Sequence, residues 1–247
     1  MHPVRNVAGY RVGGFETVSS TNAVALDFAR KGDPGNLWIV GQRQTGGRGR
    51  RGRPWVSEPG NLYASLLLID PADPVRLAQL PLVAALALAD AVDRMCGTHR
   101  LVRLKWPNDL LVDGAKISGI LLEAAVLADG RRAVACGFGL NLSHHPELPD
   151  YAAADLAGLG YRVTAESGFA ALAESVSLQL DRWRNEPFSG ILADWISRAT
   201  GIGNPIRVRL SQDELHGTFV GLDEEGRLLL RGEDGSMTTI SAGDVFF

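Results

Sequence analysis

The period of the hydrophobic positions changes several times along the chain, and each change marks an element. Residues 14–18 read as extended and run into "SSTN", where Ser19, Ser20 or Thr21 can cap a helix carrying Val24, Ala25, Phe28 and Ala29 on one face; Gly32 ends it. "LWIVGQ" (37–42) and "NLYASLLLID" (61–70) read as buried strands, and Pro54, Pro59 and Gly60 leave no room for a helix between them. From 75 to 96, Leu77, Leu80, Val83, Leu86, Leu88 and Val92 follow helical spacing, which predicts one core helix. "VRLKWPNDLLVDGAKISGILLEAAV" gives a strand, a Trp-Pro-Asn-Asp corner and a hairpin at Asp113-Gly114. Asp129-Gly130 turns the chain again into "AVACGFGLNL", so these strands form an antiparallel meander. Residues 167–199 return to helix, striped by Phe169, Leu172, Val176, Leu180 and Trp183 and broken at Pro187. Beyond Gly201, short apolar runs separated by turns predict a small all-β module, a barrel.

Composition narrows the classes. With 247 residues, 45% of them hydrophobic, the chain can bury a sizeable core. The longest apolar stretch, Leu80 to Val92, is interrupted by Asp90 and is too short for a bilayer. The first residues, with His2, Arg5 and Asn6, lack the apolar run of a leader, so no membrane association and a cytoplasmic location are expected. Cys96 and Cys136 stand far apart without a CxxC or a histidine cluster, which argues against a disulfide framework or zinc. His144-His145, ahead of Pro146, reads as an exposed loop. A net charge of −3 argues against a protein that coats nucleic acid.

Against that acidic balance, "GGRGRRGRPW" (46–55) is anomalous, because five arginines and no acid fall between Arg43 and Arg53. Gly47, Gly49 and Gly52 spell G-x-G-x-x-G, but Arg53-Pro54 leads into an extended segment where a dinucleotide fingerprint needs a helix. No Walker triplet occurs. Like charges this dense repel one another unless an anion joins them, which favours a glycine-rich loop that orders around a phosphate-bearing ligand, with Trp55 as an anchor. Glycine-spaced arginines also suit nucleic acid. Lys105, Asn108 and Asp109 at one strand end, Lys116 past a hairpin, and Gly137, Gly139 and Asn141 ending the meander would complete a site for phosphate and a polar small molecule.

"SSTN", "RQTGGRGRRGRPW", "KWPNDLLV", "KISGILLE" and "GFGLNL", in this order, resemble the biotin protein ligases strongly over 15–142. The likeness continues more loosely to Phe247. It implies an α+β fold: a mixed β-sheet with flanking helices, related to the class II aminoacyl-tRNA synthetases, over residues 1–200, and a small C-terminal SH3-like β-barrel over 201–247. It also implies a ligase that uses biotin, ATP and Mg²⁺ to form biotinyl-5′-AMP and passes the biotinyl group to a lysine of a biotin carboxyl carrier domain. Some members carry an N-terminal DNA-binding module, for which this sequence has no room before SSTN, so no DNA is expected as a partner. A homodimer through sheet edges stays open beside carrier docking.

Carried over residue by residue, the resemblance places Lys116, Arg48 and Arg50 in catalysis. Ser20, Thr21, Asn22, Gln44, Gly47, Arg48, Arg50, Trp55, Lys116, Gly119 and Gly137 fall on the biotin side. Arg50, Arg51, Trp55, Asn108 and Asn141 fall on the nucleotide side, and Asp109 on magnesium. Ser20 or Thr21 can equally be a helix cap, and the division of roles among Arg48, Arg50, Arg51 and Arg53 is open. Two rivals remain: a lipoate or octanoate ligase, whose "RRxSGGG" motif is absent, and a nucleic-acid-binding module.

Overall fold

A computed structural model of the chain describes residues 5–147, 151–210 and 212–247. Residues 1–4, part of the stretch read as lacking a leader, fall outside them. The chain builds eight strands into one mixed sheet: β1 (Arg5–Val7), β2 (Tyr10–Val18), β3 (Leu37–Gln44), β4 (Leu62–Ile69), β5 (Arg103–Lys105), β6 (Asp109–Val112), β7 (Ala115–Val126) and β8 (Arg132–Leu140). They lie in the order β1-β2-β3-β4-β8-β7-β6-β5. Strands β2 and β3 run parallel, joined by helix α1 (Thr21–Arg30), and the other neighbours are antiparallel. The expected meander is β5 to β8. Strand β1, too short to leave a periodic signal, is additional.

Alternation along the strands divides the core. Leu37, Ile39, Leu67, Ala133 and Ala135 face Ala25, Leu26 and Ala29 of α1, while Trp38, Leu66, Leu68, Cys136 and Phe138 point the other way. There they meet the helices α2 (Pro74–Leu77), α3 (Leu80–Cys96), α4 (Ala165–Asn185) and α5 (Phe188–Arg198), above all α3 and α4. Of the three cap candidates for α1, Ser20 takes the position: its hydroxyl accepts from the Ala23 amide at 3.5 Å. The helix expected over 75–96 is two, because Pro81 has no amide to donate to the preceding turn and therefore starts α3 afresh. A single 3₁₀ turn, Arg50–Gly52, lies in the interval read as leaving no room for a helix. Among the described residues, no helix is long and apolar enough to cross a membrane.

The remaining strands are β9 (Pro205–Arg209), β10 (Glu214–Leu222), β11 (Leu228–Arg231), β12 (Met237–Ile240) and β13 (Asp244–Phe246), ordered β12-β11-β10-β9-β13. The expected closed barrel is not found. The run "MTTISAGDVFF" splits at Ser241–Gly243, after which β13 pairs with β9 and β12 with β11, leaving β12 and β13 at opposite edges. This sheet docks on the larger one by specific contacts: the Trp106 indole donates to the Gly226 carbonyl at 3.0 Å, and the Thr200 amide to the Leu104 carbonyl at 2.9 Å. The entry into it is fixed by buried Arg198, whose guanidinium donates to Asp93 and Asp90, both at 2.8 Å. Asp93 also accepts from the amides of Arg100 and Leu101, at 2.8 and 2.9 Å. Burial pushes the Asp90 carboxyl above its ordinary range.

Removing Asp93 leaves one arm of a buried guanidinium and two amides without their acceptor, Asp90 holding only the other arm. Asp93→Ala is therefore expected to cost about 3 kcal/mol of stability, read from denaturant unfolding. A loss well under about 1 kcal/mol would mean that solvent reaches Arg198 and the network is only a surface pairing.

Candidate active site

The site lies on the α1 face of the sheet, where the strands change from large to small residues. Ser65 of β4, Gly137 of β8 and Leu121 of β7 stand side by side in register, followed towards the strand ends by Gly139 and Gly119. Below this line Ala25 and Ala29 of α1 cover the sheet, and above it the start of α1 and the arginine loop take over. The glycines make that possible. A Cβ on Gly139 would stand 2.6 Å from the Trp55 indole and one on Gly119 3.2 Å from it, so Trp55 lies flat on a pair of residues that face each other across two strands. A Cβ on Gly137 would likewise strike the Asn22 side chain at 2.4 Å. Among the described residues, the Trp55 indole nitrogen is buried there without a hydrogen-bond partner.

A polar cluster forms the inner end of the pocket. Gln44 accepts from the Thr21 amide at 2.9 Å, satisfying the first turn of α1, and donates to Ser57 at 2.9 Å; Ser57 donates to the Trp55 carbonyl at 2.9 Å. Asn22 donates to the Leu121 carbonyl at 3.1 Å and to Glu123 at 2.9 Å. The pocket therefore joins polar groups at one end to the glycine patch along its length.

Cations occupy the outer end. The Lys116 ammonium lies 2.7 Å from Asp109, 5.6 Å from the Trp55 ring centre and 5.3 Å from that of Tyr151. Arg50 donates to Asn108 at 3.2 Å and to the Gly243 carbonyl at 3.0 Å, and burial lowers its pKa without removing its charge. Burial likewise lowers the pKa of Lys105, which sits over the rings of Phe246 and Phe247. The arginines are not left to repel one another. Arg43 pairs with Glu58 at 3.1 Å and Arg48 with Glu123 at 3.2 Å. Arg51 reaches Asp244 at 3.2 Å, Arg53 binds the same carboxylate, and Arg50 stands 3.8 Å from it. The neutralising anion is thus largely the protein's own, supplied by β13.

Of the residues expected at the site, Ser20, Thr21, Asn22, Gln44, Arg48, Arg50, Trp55, Asn108, Asp109, Lys116, Gly119 and Gly137 line this one pocket. Three do not. Gly47 lies behind it, where a Cβ would meet the Trp55 carbonyl at 2.5 Å; it lets two loop segments approach and bond. Arg51 is turned to Asp244 and to the Arg209 carbonyl. Asn141 borders a neighbouring cavity that shares Trp55, Lys116 and Tyr151, and its amide donates to the Ala154 carbonyl at 3.0 Å. The histidines are less free than expected: His144 is tied to Asn61, and His145 lies 2.6 Å from Asp155. Sequence reasoning missed Asp244, Tyr151 and Glu123. No local pattern marks them, although an uncompensated arginine run signals that distant carboxylates must exist.

Residues 14–141 match the Biotin/lipoate A/B protein ligase family, and residues 201–247 match the Biotin protein ligase C terminal domain. The chain is similar to the biotin–[acetyl-CoA-carboxylase] ligase of Paracoccus denitrificans, with 40% identity over 92% of this chain and 97% of that protein. It is 31% identical to the bifunctional ligase/repressor BirA of Bacillus subtilis over 92% of this chain and 71% of the other. In fold it resembles the biotin protein ligase from Aquifex aeolicus in complex with biotin and ATP, with a TM-score of 0.79 and 28% identity over 95% of this chain and 97% of that one. A pocket with hydrogen-bonding groups at one end and gathered cations at the other fits these relatives, and the chain belongs to the Biotin/lipoate A/B protein ligase family.

Proposed function

We propose that this chain is a biotin protein ligase, which activates biotin with ATP as biotinyl-5′-AMP and transfers the biotinyl group to a lysine of a carrier domain. The observation that carries the reading is the pocket itself, in which Lys116, Arg48 and Arg50 converge beyond the polar cluster of Thr21, Asn22 and Gln44. A carboxylate does not acylate an amine in water, so it must first become a mixed anhydride. One biotin carboxylate oxygen attacks the α-phosphorus and pyrophosphate leaves; the acceptor amine then attacks the acyl carbon and AMP leaves. Both steps are served by positioning and by stabilising negative charge.

The residue roles follow from position. Thr21, Asn22 and Gln44 take the polar ring of biotin, and Trp55, Gly119 and Gly137 shape the slot around its apolar part. Ser20 acts as the cap of α1. Lys116 meets the charge that builds between carboxylate and α-phosphate, exchanging Asp109 for the substrate. Arg48 and Arg50 hold the adenylate phosphate and shield the anhydride from water, while Arg51 orders the loop through Asp244. Asn108 and Asn141 lie on the nucleotide side, Asn141 through the adjoining cavity. Magnesium, where bound, would supply positive charge to offset the phosphates. Asp109 would be the carboxylate that the protein offers to that ion, since Mg²⁺ in such sites takes one or two carboxylates beside phosphates.

Residues 1–200 are assigned as the catalytic unit, related to the class II aminoacyl-tRNA synthetase fold, and 201–247 as an SH3-like unit. The carrier domain is met in the cytoplasm, and sheet edges are where a carrier or a second copy would pair.

Exchange of labelled pyrophosphate into ATP is expected with biotin and not with lipoate, octanoate or no acid. Exchange driven by lipoate alone would overturn the substrate. Lys116→Ala is expected to lower adenylation by at least about 10²-fold while biotin affinity, measured by calorimetry, changes only a few-fold; normal adenylation would remove Lys116 from the chemistry. Arg50→Gly is expected to release biotinyl-AMP and label bystander lysines, and an adenylate retained as in the parent would contradict the shielding role.

A further inference from the structure

Ser65 is fully buried on β4 and does not line the pocket, yet it touches two residues that do. Its hydroxyl oxygen lies 2.7 Å from the Thr21 hydroxyl and 2.6 Å from the Asn22 side-chain oxygen. One hydroxyl has one proton, so both contacts cannot be its donations.

The surroundings decide the direction. The Asn22 amide nitrogen faces the Leu121 carbonyl and the Glu123 carboxylate, which only accept; this fixes the Asn22 oxygen towards Ser65. Among the described contacts no other donor reaches that oxygen, so the Ser65 proton belongs to it. The Gln44 oxygen is fixed in the same way by the Thr21 amide, which only donates. The Thr21 hydroxyl has two oxygens within reach of its own proton, Ser65 at 2.7 Å and Gln44 at 3.2 Å; with the Ser65 proton on Asn22, the shorter contact is a hydrogen bond only if Thr21 donates it. Its proton goes to Ser65. What Thr21 turns to the pocket is a lone pair.

We infer that Ser65 is a specificity-determining positioning residue: by consuming the Thr21 proton and satisfying Asn22, it makes Thr21 an acceptor that requires an N–H on the ligand. The inference rests on the biotin ligase reading, in which that N–H belongs to the ureido ring. A group at the same place that only accepts would meet lone pair with lone pair, and a buried polar group left unpaired is rejected far more strongly than it would be on a yielding surface.

The test compares biotin with its cyclic carbamate analogues, in which one ring N–H at a time is replaced by oxygen, in the parent protein and in Ser65→Ala. The parent is expected to reject the carbamate at the Thr21 position by at least about 100-fold in kcat/KM for adenylation. In Ser65→Ala the Thr21 proton is free to turn into the pocket. KM for biotin is expected to rise about tenfold, with KM for ATP and kcat within about twofold, and the rejection of that carbamate to shrink at least about tenfold. Ser65→Cys, with a weaker donor in the same place, falls between the two. Unchanged selectivity in Ser65→Ala would overturn the inference, as would parallel loss of kcat and both KM values with a lowered unfolding midpoint, the mark of a merely structural role. A parent protein indifferent to biotin would overturn the functional reading and this inference with it, whereas a biotin-dependent parent with unaltered selectivity in the variant overturns the inference alone.

Discussion

Everything at the site depends on neutralising the arginine loop. Two unit charges about 4 Å apart repel by about 4 kcal/mol near a protein surface, so Arg48, Arg50, Arg51 and Arg53 can lie folded on the sheet only if anions are brought to them. Glu123 of β7 supplies one and Asp244 of β13 the other, with Arg51 and Arg53 on a single, largely buried carboxylate. Arg50 is the exception that matters. It stands farther from Asp244, holds Asn108 and the Gly243 carbonyl, and is buried in the pocket wall, which leaves its charge the least fully answered of the group at the site.

That arrangement explains why the small sheet contributes to the wall of the site. Asp244 acts at the loop only because β13 is docked, and the docking is held by the Trp106 indole on Gly226, by Thr200 on Leu104 and, upstream, by Arg198 between Asp90 and Asp93. Backbone space is the second condition. Trp55 closes the loop onto the sheet at Gly119 and Gly139, and Asn22 reaches across Gly137, so three glycines in two neighbouring strands decide where side chains from elsewhere may lie. Charge places the loop and missing Cβ atoms receive it.

The motifs carrying the chemistry were legible because they are contiguous. The cap at Ser20, the loop from Gly47 to Trp55, the corner at Asn108-Asp109 and Lys116 after its hairpin each sit within a few residues of their own turn signals. The elements were legible where one period held, as in α1, β3, β4 and the meander. They failed where a single residue overrode the pattern: Pro81 divides a run whose apolar spacing continues through it, and the short turn after Ile240 sends β13 to β9 and leaves the barrel open. Asp244 and Ser65 were illegible for a different reason. Each acts through a partner far away in sequence, and an aspartate after a glycine or a serine inside an apolar strand has ordinary local explanations.

Hydrogen–deuterium exchange of the parent protein and Asp244→Asn without ligand shows whether β13 holds the arginine loop on the sheet through one carboxylate. In the variant the amides of residues 46–55 are expected to exchange faster, including those of Gly49 and Trp55 that bond within the loop, while β4, β7 and β8 keep their protection. Loop exchange unchanged in the variant would contradict that role of β13, and would leave the arginines ordered by something other than the charge that Asp244 brings to them.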